Sequence, residues 1–178
     1  LTKLDQLAVD NNNLMSLPTS LGFLTQMAQL RINDNPLQSP PIEITRTIIK
    51  PPEEWDFSIV LRYLRHLHSA HTPCCEVRGF GINNLPSIIH GMGYLRTLDL
   101  NSNRIQELPK WFYEMTNLTC VRLNDNRIER LGKLVRGMSR LTELSLRRNR
   151  LKQNGLPIES LVTLTTLQLL DLRLNLLL

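Results

Sequence analysis

Apolar positions recur along this chain at a fixed interval. Leu95, Leu98, Leu100, Ile105 and Leu108, with Asn103 among them, return 23 residues later as Leu118, Val121, Leu123, Ile128 and Leu131 with Asn126. A third copy follows as Leu141, Leu144, Leu146 and Leu151 with Asn149. In Leu98-Asp99-Leu100 two leucines point one way and the residue between them points the other, which predicts a short strand. One such strand cannot hide its apolar face alone. Each copy is therefore expected to lay its strand beside the next, so that a parallel sheet grows along the array. The Asn after each strand has a different task. Where the chain turns inward, backbone groups would be buried without partners, and a carboxamide supplies both donor and acceptor. Stacked copies at 103, 126 and 149 are expected to form a ladder.

The same pattern extends toward both ends. Leu4, Leu7, Val9, Asn12 and Leu14 open the chain, followed by Met27, Leu30, Ile32, Asn35 and Leu37. The register then breaks. The next copy is Thr72, Cys75, Val77, Phe80 and Ile82, with Phe80 where the ladder expects Asn, so 45 residues separate Leu30 from Cys75. About one repeat length is inserted, over 42–71. Inside it, Pro51-Pro52-Glu53-Glu54 has the character of a helix start. Phe57, Val60, Leu61, Leu64 and Leu67 then keep helical spacing, which predicts a helix over 52–68; a degenerate repeat is the rival reading. The last copy, Leu167, Leu170, Leu172 and Asn175, arrives 26 residues after its predecessor, with the extra residues placed at Lys152-Gln153-Asn154-Gly155. The chain thus divides into a first array (1–41), an insertion (42–71) and a second array (72–178).

The pattern L-x-x-L-x-L-x-x-N-x-L resembles that of leucine-rich repeats. The resemblance implies an α/β solenoid: a right-handed coil with short parallel strands on the concave side and short helices or turns on the convex side. Leu17-Pro18 and Leu108-Pro109 would open those convex turns, with Trp111, Phe112 and Tyr113 packed there. The 23-residue Leu-Pro version is similar to intracellular, signalling-type members. Such arrays bind macromolecules, which implies a non-enzymatic protein-binding scaffold in a signalling, cytoskeletal or ciliary assembly.

Composition narrows this picture. The 178 residues are 42% apolar, enough for a continuous core. No apolar run is long enough to span a membrane. The chain starts inside a repeat and stops just past a repeat Asn, so a piece of a longer protein is expected, and a recognition arm of a larger enzyme is one setting for it. Three cysteines, Cys74, Cys75 and Cys120, make no disulfide framework, which favours a reducing, cytoplasmic compartment. Asn117-Leu118-Thr119 matches a glycosylation sequon, yet it also sits at the repeat boundary.

Charge is unevenly placed. From Arg104 to Lys152 there are twelve Lys or Arg against five Asp or Glu, a net charge of +7, while the rest of the chain carries −2. Arg104, Arg127 and Arg150 each follow a ladder Asn and should stack along one edge, where like charges repel unless something acidic lies against them. The residues between and just after the strand leucines should face the concave side. Candidate partner-binding residues there are Arg31, Glu76, Arg78, Asp99, Asn101, Arg122, Asn124, Glu143, Arg147, Arg148, Asp171 and Arg173, with Arg104, Arg127 and Arg150 on the edge. One column, through 8, 31, 76, 99, 122, 145 and 171, mixes both signs. That suits a folded protein partner better than a phosphate backbone. Attachment to RNA through the basic 104–152 block is the alternative, weakened by the lack of exposed aromatics to stack bases.

No catalytic set, cofactor site or phosphate loop emerges. Gly79-Phe80-Gly81 and Gly91-Met92-Gly93 lack the strand-to-helix context that phosphate binding needs. His66, His68, His71, Cys74 and Cys75 are close in sequence, but their spacing fits no standard zinc pattern.

Overall fold

The computed structural model describes residues 3–45, 58–68 and 72–177. The chain forms two compact units, Leu1–His71 and Thr72–Leu178.

In the second unit, five short strands form a parallel sheet in chain order: β3 (Cys74–Glu76), β4 (Thr97–Asp99), β5 (Cys120–Arg122), β6 (Glu143–Ser145) and β7 (Leu169–Asp171). The register follows the repeat, with Leu98 opposite Val121 and Val121 opposite Leu144. Leu95, Leu98, Leu100, Ile105, Leu118, Val121, Leu123, Ile128, Leu141, Leu146 and Leu151 are at most 1% exposed, so the apolar stripe of the sequence is one core. Opposite the strands run 3-10 turns at Ser87–Gly91, Lys110–Glu114 and Lys133–Gly137. Pro86 and Pro109 precede the first two with φ near −62° and −66°, the value that proline imposes. Phe112 and Tyr113 are buried there, and Trp111 is half-buried.

The Asn ladder is built as the spacing predicts. Asn126 Nδ2 donates to the carbonyls of Leu100, Leu123 and Asn124, and its Oδ1 accepts the N–H of Ile105. Asn103, Asn149 and Asn175 repeat this arrangement, each reaching back one repeat. Phe80 takes the ladder position next to β3, the first strand of its sheet, and is buried instead.

One residue before each ladder position the chain takes a left-handed conformation. It does so at Asn11, Asp34, Gly79, Ser102, Asp125, Arg148 and Leu174, with φ between 53° and 73°. Gly, Asn and Asp tolerate this region well, whereas Arg148 and Leu174 carry its full steric penalty.

The extra residues of the sixth copy form a 3-10 turn, Gln153–Gly155, and the helix α3, Ile158–Leu161. This segment is more than a loose loop. Leu131 N–H donates to the Gly155 carbonyl, and a side chain at 155 would collide with the Glu129 carbonyl.

In the first unit, β1 (Gln6–Ala8) and β2 (Gln29–Arg31) pair in parallel. Helix α1 spans Ile42–Thr45 and α2 spans Ser58–His68; of the expected helix, residues 52–57 lie outside the described residues. Val60, Leu61, Tyr63, Leu64 and Leu67 are buried, while Arg62 and Arg65 are exposed, as helical spacing requires. Helix α2 packs on the turn Thr19–Phe23. Gly22 allows the approach, since a Cβ there would strike the backbone of Arg65, and Arg65 Nε donates to the Gly22 carbonyl at 2.8 Å.

Candidate functional site: the strand face and its basic edge

The expected mixed-sign column divides between the two sheets. Ala8 pairs with Arg31 in the first, and Glu76, Asp99, Arg122, Ser145 and Asp171 stand in register across the second. Neighbouring strands lie about 4.8 Å apart, so each side chain can reach the next repeat.

Most charges on this face are matched internally. Arg122 holds Glu143 with two bonds, Nε to Oε1 at 2.9 Å and Nη2 to Oε2 at 3.2 Å. The Arg122 guanidinium keeps the Glu143 carboxyl below the usual carboxylate range. Cys120 Sγ donates to the same carboxylate at 3.2 Å. Burial, and then that hydrogen bond beside a negative charge, push the Cys120 thiol up to about 11. Arg173 clamps Asp171 in the same bidentate way, at 2.9 and 2.7 Å, and holds it at about 2. Arg31 meets Asp10 at 2.7 Å, and Arg148 meets Asp125 at 3.5 Å.

Other candidates serve the backbone. Asn101 is 9% exposed, and its Oδ1 accepts the N–H of Asn124 at 2.7 Å; Asn124 Oδ1 accepts the N–H of Arg147 at 2.8 Å. Asp10 does the same for Asn33. These bonds form a second ladder two residues before the first, and Asp99 caps it by accepting the Asn101 N–H. Sequence reasoning missed it. Its signal in the sequence is the recurrence of Asp or Asn two residues before the ladder position, at 10, 101 and 124. Glu76 and Arg78 are exposed. Arg147 is half-buried, and its Nε is buried without a hydrogen-bond partner among the described residues.

Arg104, Arg127 and Arg150 form the expected stripe. Their N–H groups donate to the carbonyls of Ile82, Ile105 and Ile128, each at 2.9 Å, so their backbones stack at repeat spacing. All three side chains are exposed, and none makes a hydrogen bond or ion pair among the described residues. On the same side, Lys152 meets Glu129 at 3.5 Å.

The remaining sequence candidates are held locally. Asn117 Nδ2 donates to the Gly93 carbonyl at 2.7 Å and its Oδ1 accepts from Arg140 at 2.8 Å, so the sequon amide joins three repeats. His68 shares a hydrogen bond with Thr19 at 2.9 Å and meets the Phe23 ring edge-on. His71 lies outside the described residues, and among those described no group of three His, Cys, Asp or Glu is placed to hold a metal. Cys74, Cys75 and Cys120 are free thiols. No described helix is long and apolar enough to cross a membrane.

Comparison with known proteins places this architecture. The family described as Leucine rich repeat matches residues 93–151. No curated protein matches the sequence. Among solved structures, the chain is similar to a leucine-rich-repeat protein of Leptospira interrogans, with a TM-score of 0.59 and 25% identity, covering 98% of this chain and 38% of that one. An internalin of Listeria monocytogenes gives 0.54 and 19%, over 99% of this chain and 44% of that one. The leucine-rich-repeat ectodomain of a membrane receptor kinase of Arabidopsis thaliana gives 0.52 and 21%, over 97% and 21%. The chain therefore spans less than half of each of these structures. Register, ladder and family match agree: the chain has the leucine-rich repeat fold, with the family's sequence pattern matched over residues 93–151.

Proposed function

We propose that the chain is a non-enzymatic scaffold that binds a protein partner bearing an acidic surface. The strand face of residues 74–173 presents the partner with a rigid frame, and the edge at Arg104, Arg127 and Arg150 supplies the attraction. One observation carries this reading. Glu143, Asp171, Asp125 and Glu129 each have a cationic partner within the array, whereas the three stacked edge arginines have none among the described residues. The charge along that edge is positive, exposed and regularly spaced, the arrangement that steers an acidic surface. The Leu-Pro repeat type and the three free thiols support a cytoplasmic setting, in a signalling complex or a cytoskeletal or ciliary assembly.

The test compares binding of polyglutamate and of a homopolymeric RNA across salt concentration. Polyglutamate should bind the native array and lose affinity when Arg104, Arg127 and Arg150 are changed together to Glu. Reversal of Arg96, Arg136 and Arg140 changes net charge equally and should have a smaller effect. Equal loss from both triple variants would remove the edge as the site. Tight RNA binding with a steep salt slope would favour the second reading, attachment to nucleic acid through the 104–152 block.

A further inference from the structure

Beside the arginine edge lies a cleft of about 720 Å³, formed between the segments that follow Arg104 and Arg127. Its apolar wall is made by Leu108, Tyr113 and Leu134, and Leu134 is 49% exposed. Lys110, Arg130 and Lys133 stand around it, exposed and without side-chain partners among the described residues. Two acids also line it. Glu129 faces Lys152, which leaves Glu107 as the one carboxylate there without a cation. The cleft sits where the repeat's usual proline is replaced by Gly132, whose lack of a side chain leaves room for the Tyr113 ring that forms part of the wall.

We infer that this cleft is the specificity socket of the basic edge: it takes one large apolar side chain from an acidic peptide segment of the partner, whose carboxylates lie on Arg104, Arg127 and Arg150. The inference rests on the proposed reading of the edge and adds to it the chemistry of the segment bound. The volume is within the range of sites that enclose a drug-sized group, and an apolar wall rimmed by cations suits an apolar side chain flanked by carboxylates. Arg127 is two residues from Glu129 and three from Arg130, so one extended segment reaches edge and cleft together. A phosphate backbone matches the site less well, because Glu107 and Glu129 would face it and the apolar wall would be left wet.

Two synthetic peptides test this by fluorescence anisotropy on the intact chain: a short Glu/Asp segment with a central Phe, and its twin with Ser in that place. The Phe peptide should bind about tenfold more tightly, the order expected for seating one apolar group in a pocket. Leu134→Gln should erase that difference while leaving the Ser peptide's binding little changed. The triple Glu variant at 104, 127 and 150 should weaken both peptides. Equal binding of the two peptides, lost in the triple variant, would overturn the socket while leaving the edge intact. A Phe preference that survives Leu134→Gln would also overturn it. Failure of both peptides, with or without tight binding of single-stranded RNA, would overturn the socket and the peptide reading of the edge together.

Discussion

The Tyr113 hydroxyl accepts the N–H of Gly132 at 2.7 Å, and the Tyr113 ring occupies the space that a side chain at 132 would need, with ring atoms 2.9 Å from an ideal Cβ. The backbone at 132, with φ −71° and ψ 146°, is close to that of Pro109 in the preceding repeat. Proline would fit that conformation. It is excluded by the Tyr113 ring and by the loss of the donor that Tyr113 uses.

Tyr113→Phe should therefore cost about 1 kcal/mol, the penalty for a half-buried N–H that loses its acceptor. Gly132→Pro alone should cost more, because it adds a clash. Gly132→Pro combined with Tyr113→Leu should cost less than the sum of the two single changes, since the double variant removes both the clash and the orphaned donor. Urea denaturation of the wild type, Tyr113→Leu, Gly132→Pro and their double variant measures the coupling.

The left-handed position predicts two stabilising changes. Leu174 has φ 58° and is 60% exposed, so Leu174→Asn should relieve strain without emptying the core. Arg148→Asn should act alike, offset only by a surface ion pair with Asp125 at 3.5 Å. Each should stabilise by up to about 1 kcal/mol, and Gly79→Ala should destabilise by a similar amount. Thermal unfolding gives the sign directly.

Ladder asparagines should differ in value by position. Asn126→Ala leaves the Ile105 N–H without its acceptor and takes one of two side-chain amide donors from each of the Leu100 and Leu123 carbonyls in the core, a cost of about 2 kcal/mol or more. Asn12 is exposed and donates to Val9 and Asp10 within its own repeat, so Asn12→Ala should cost about 1 kcal/mol or less. Equal losses in chemical denaturation would show that the ladder does not act by linking repeats.

Cys75 is 2% exposed in β3, and burial followed by the nearby Glu76 charge raises its thiol from 9.0 to about 12. A raised acid pKa means that the unfolded chain loses its proton first. The contribution is complete below pH 9 and disappears as pH rises toward 12. Cys75→Val, which copies Val121 of the same column, should flatten the alkaline limb of the stability curve. In the native protein at neutral pH, Cys74 should react with a thiol reagent and Cys75 should not.

Much of the fold was legible because it depends on periodicity. Spacing fixed the strand leucines, their register, the ladder at 103, 126 and 149, and the arginine stripe, since a 23-residue repeat places equivalent residues one strand apart whatever lies around them. The proline-led turns and the helix ending at His68 followed from equally local rules. Side-chain assignments across repeats were less legible. Asp99, Asn101 and Asn124 have the sequence character of an open polar face, yet Asn101 and Asn124 brace the next repeat's backbone.

The sequence by itself determined the coil, because burying a periodic apolar stripe admits few solutions. Only the tertiary structure decided which charges remain unmatched. Arg122 and Arg173 are matched by carboxylates on the strand face, whereas Arg104, Arg127 and Arg150 find none among the described residues. That division depends on distances of a few ångströms between side chains, which identity and spacing do not specify. The cleft at Gly132 has the same origin. A missing proline is visible in the chain, but the ring of Tyr113 that excludes it, and the space left beside it, arise only when two repeats are stacked.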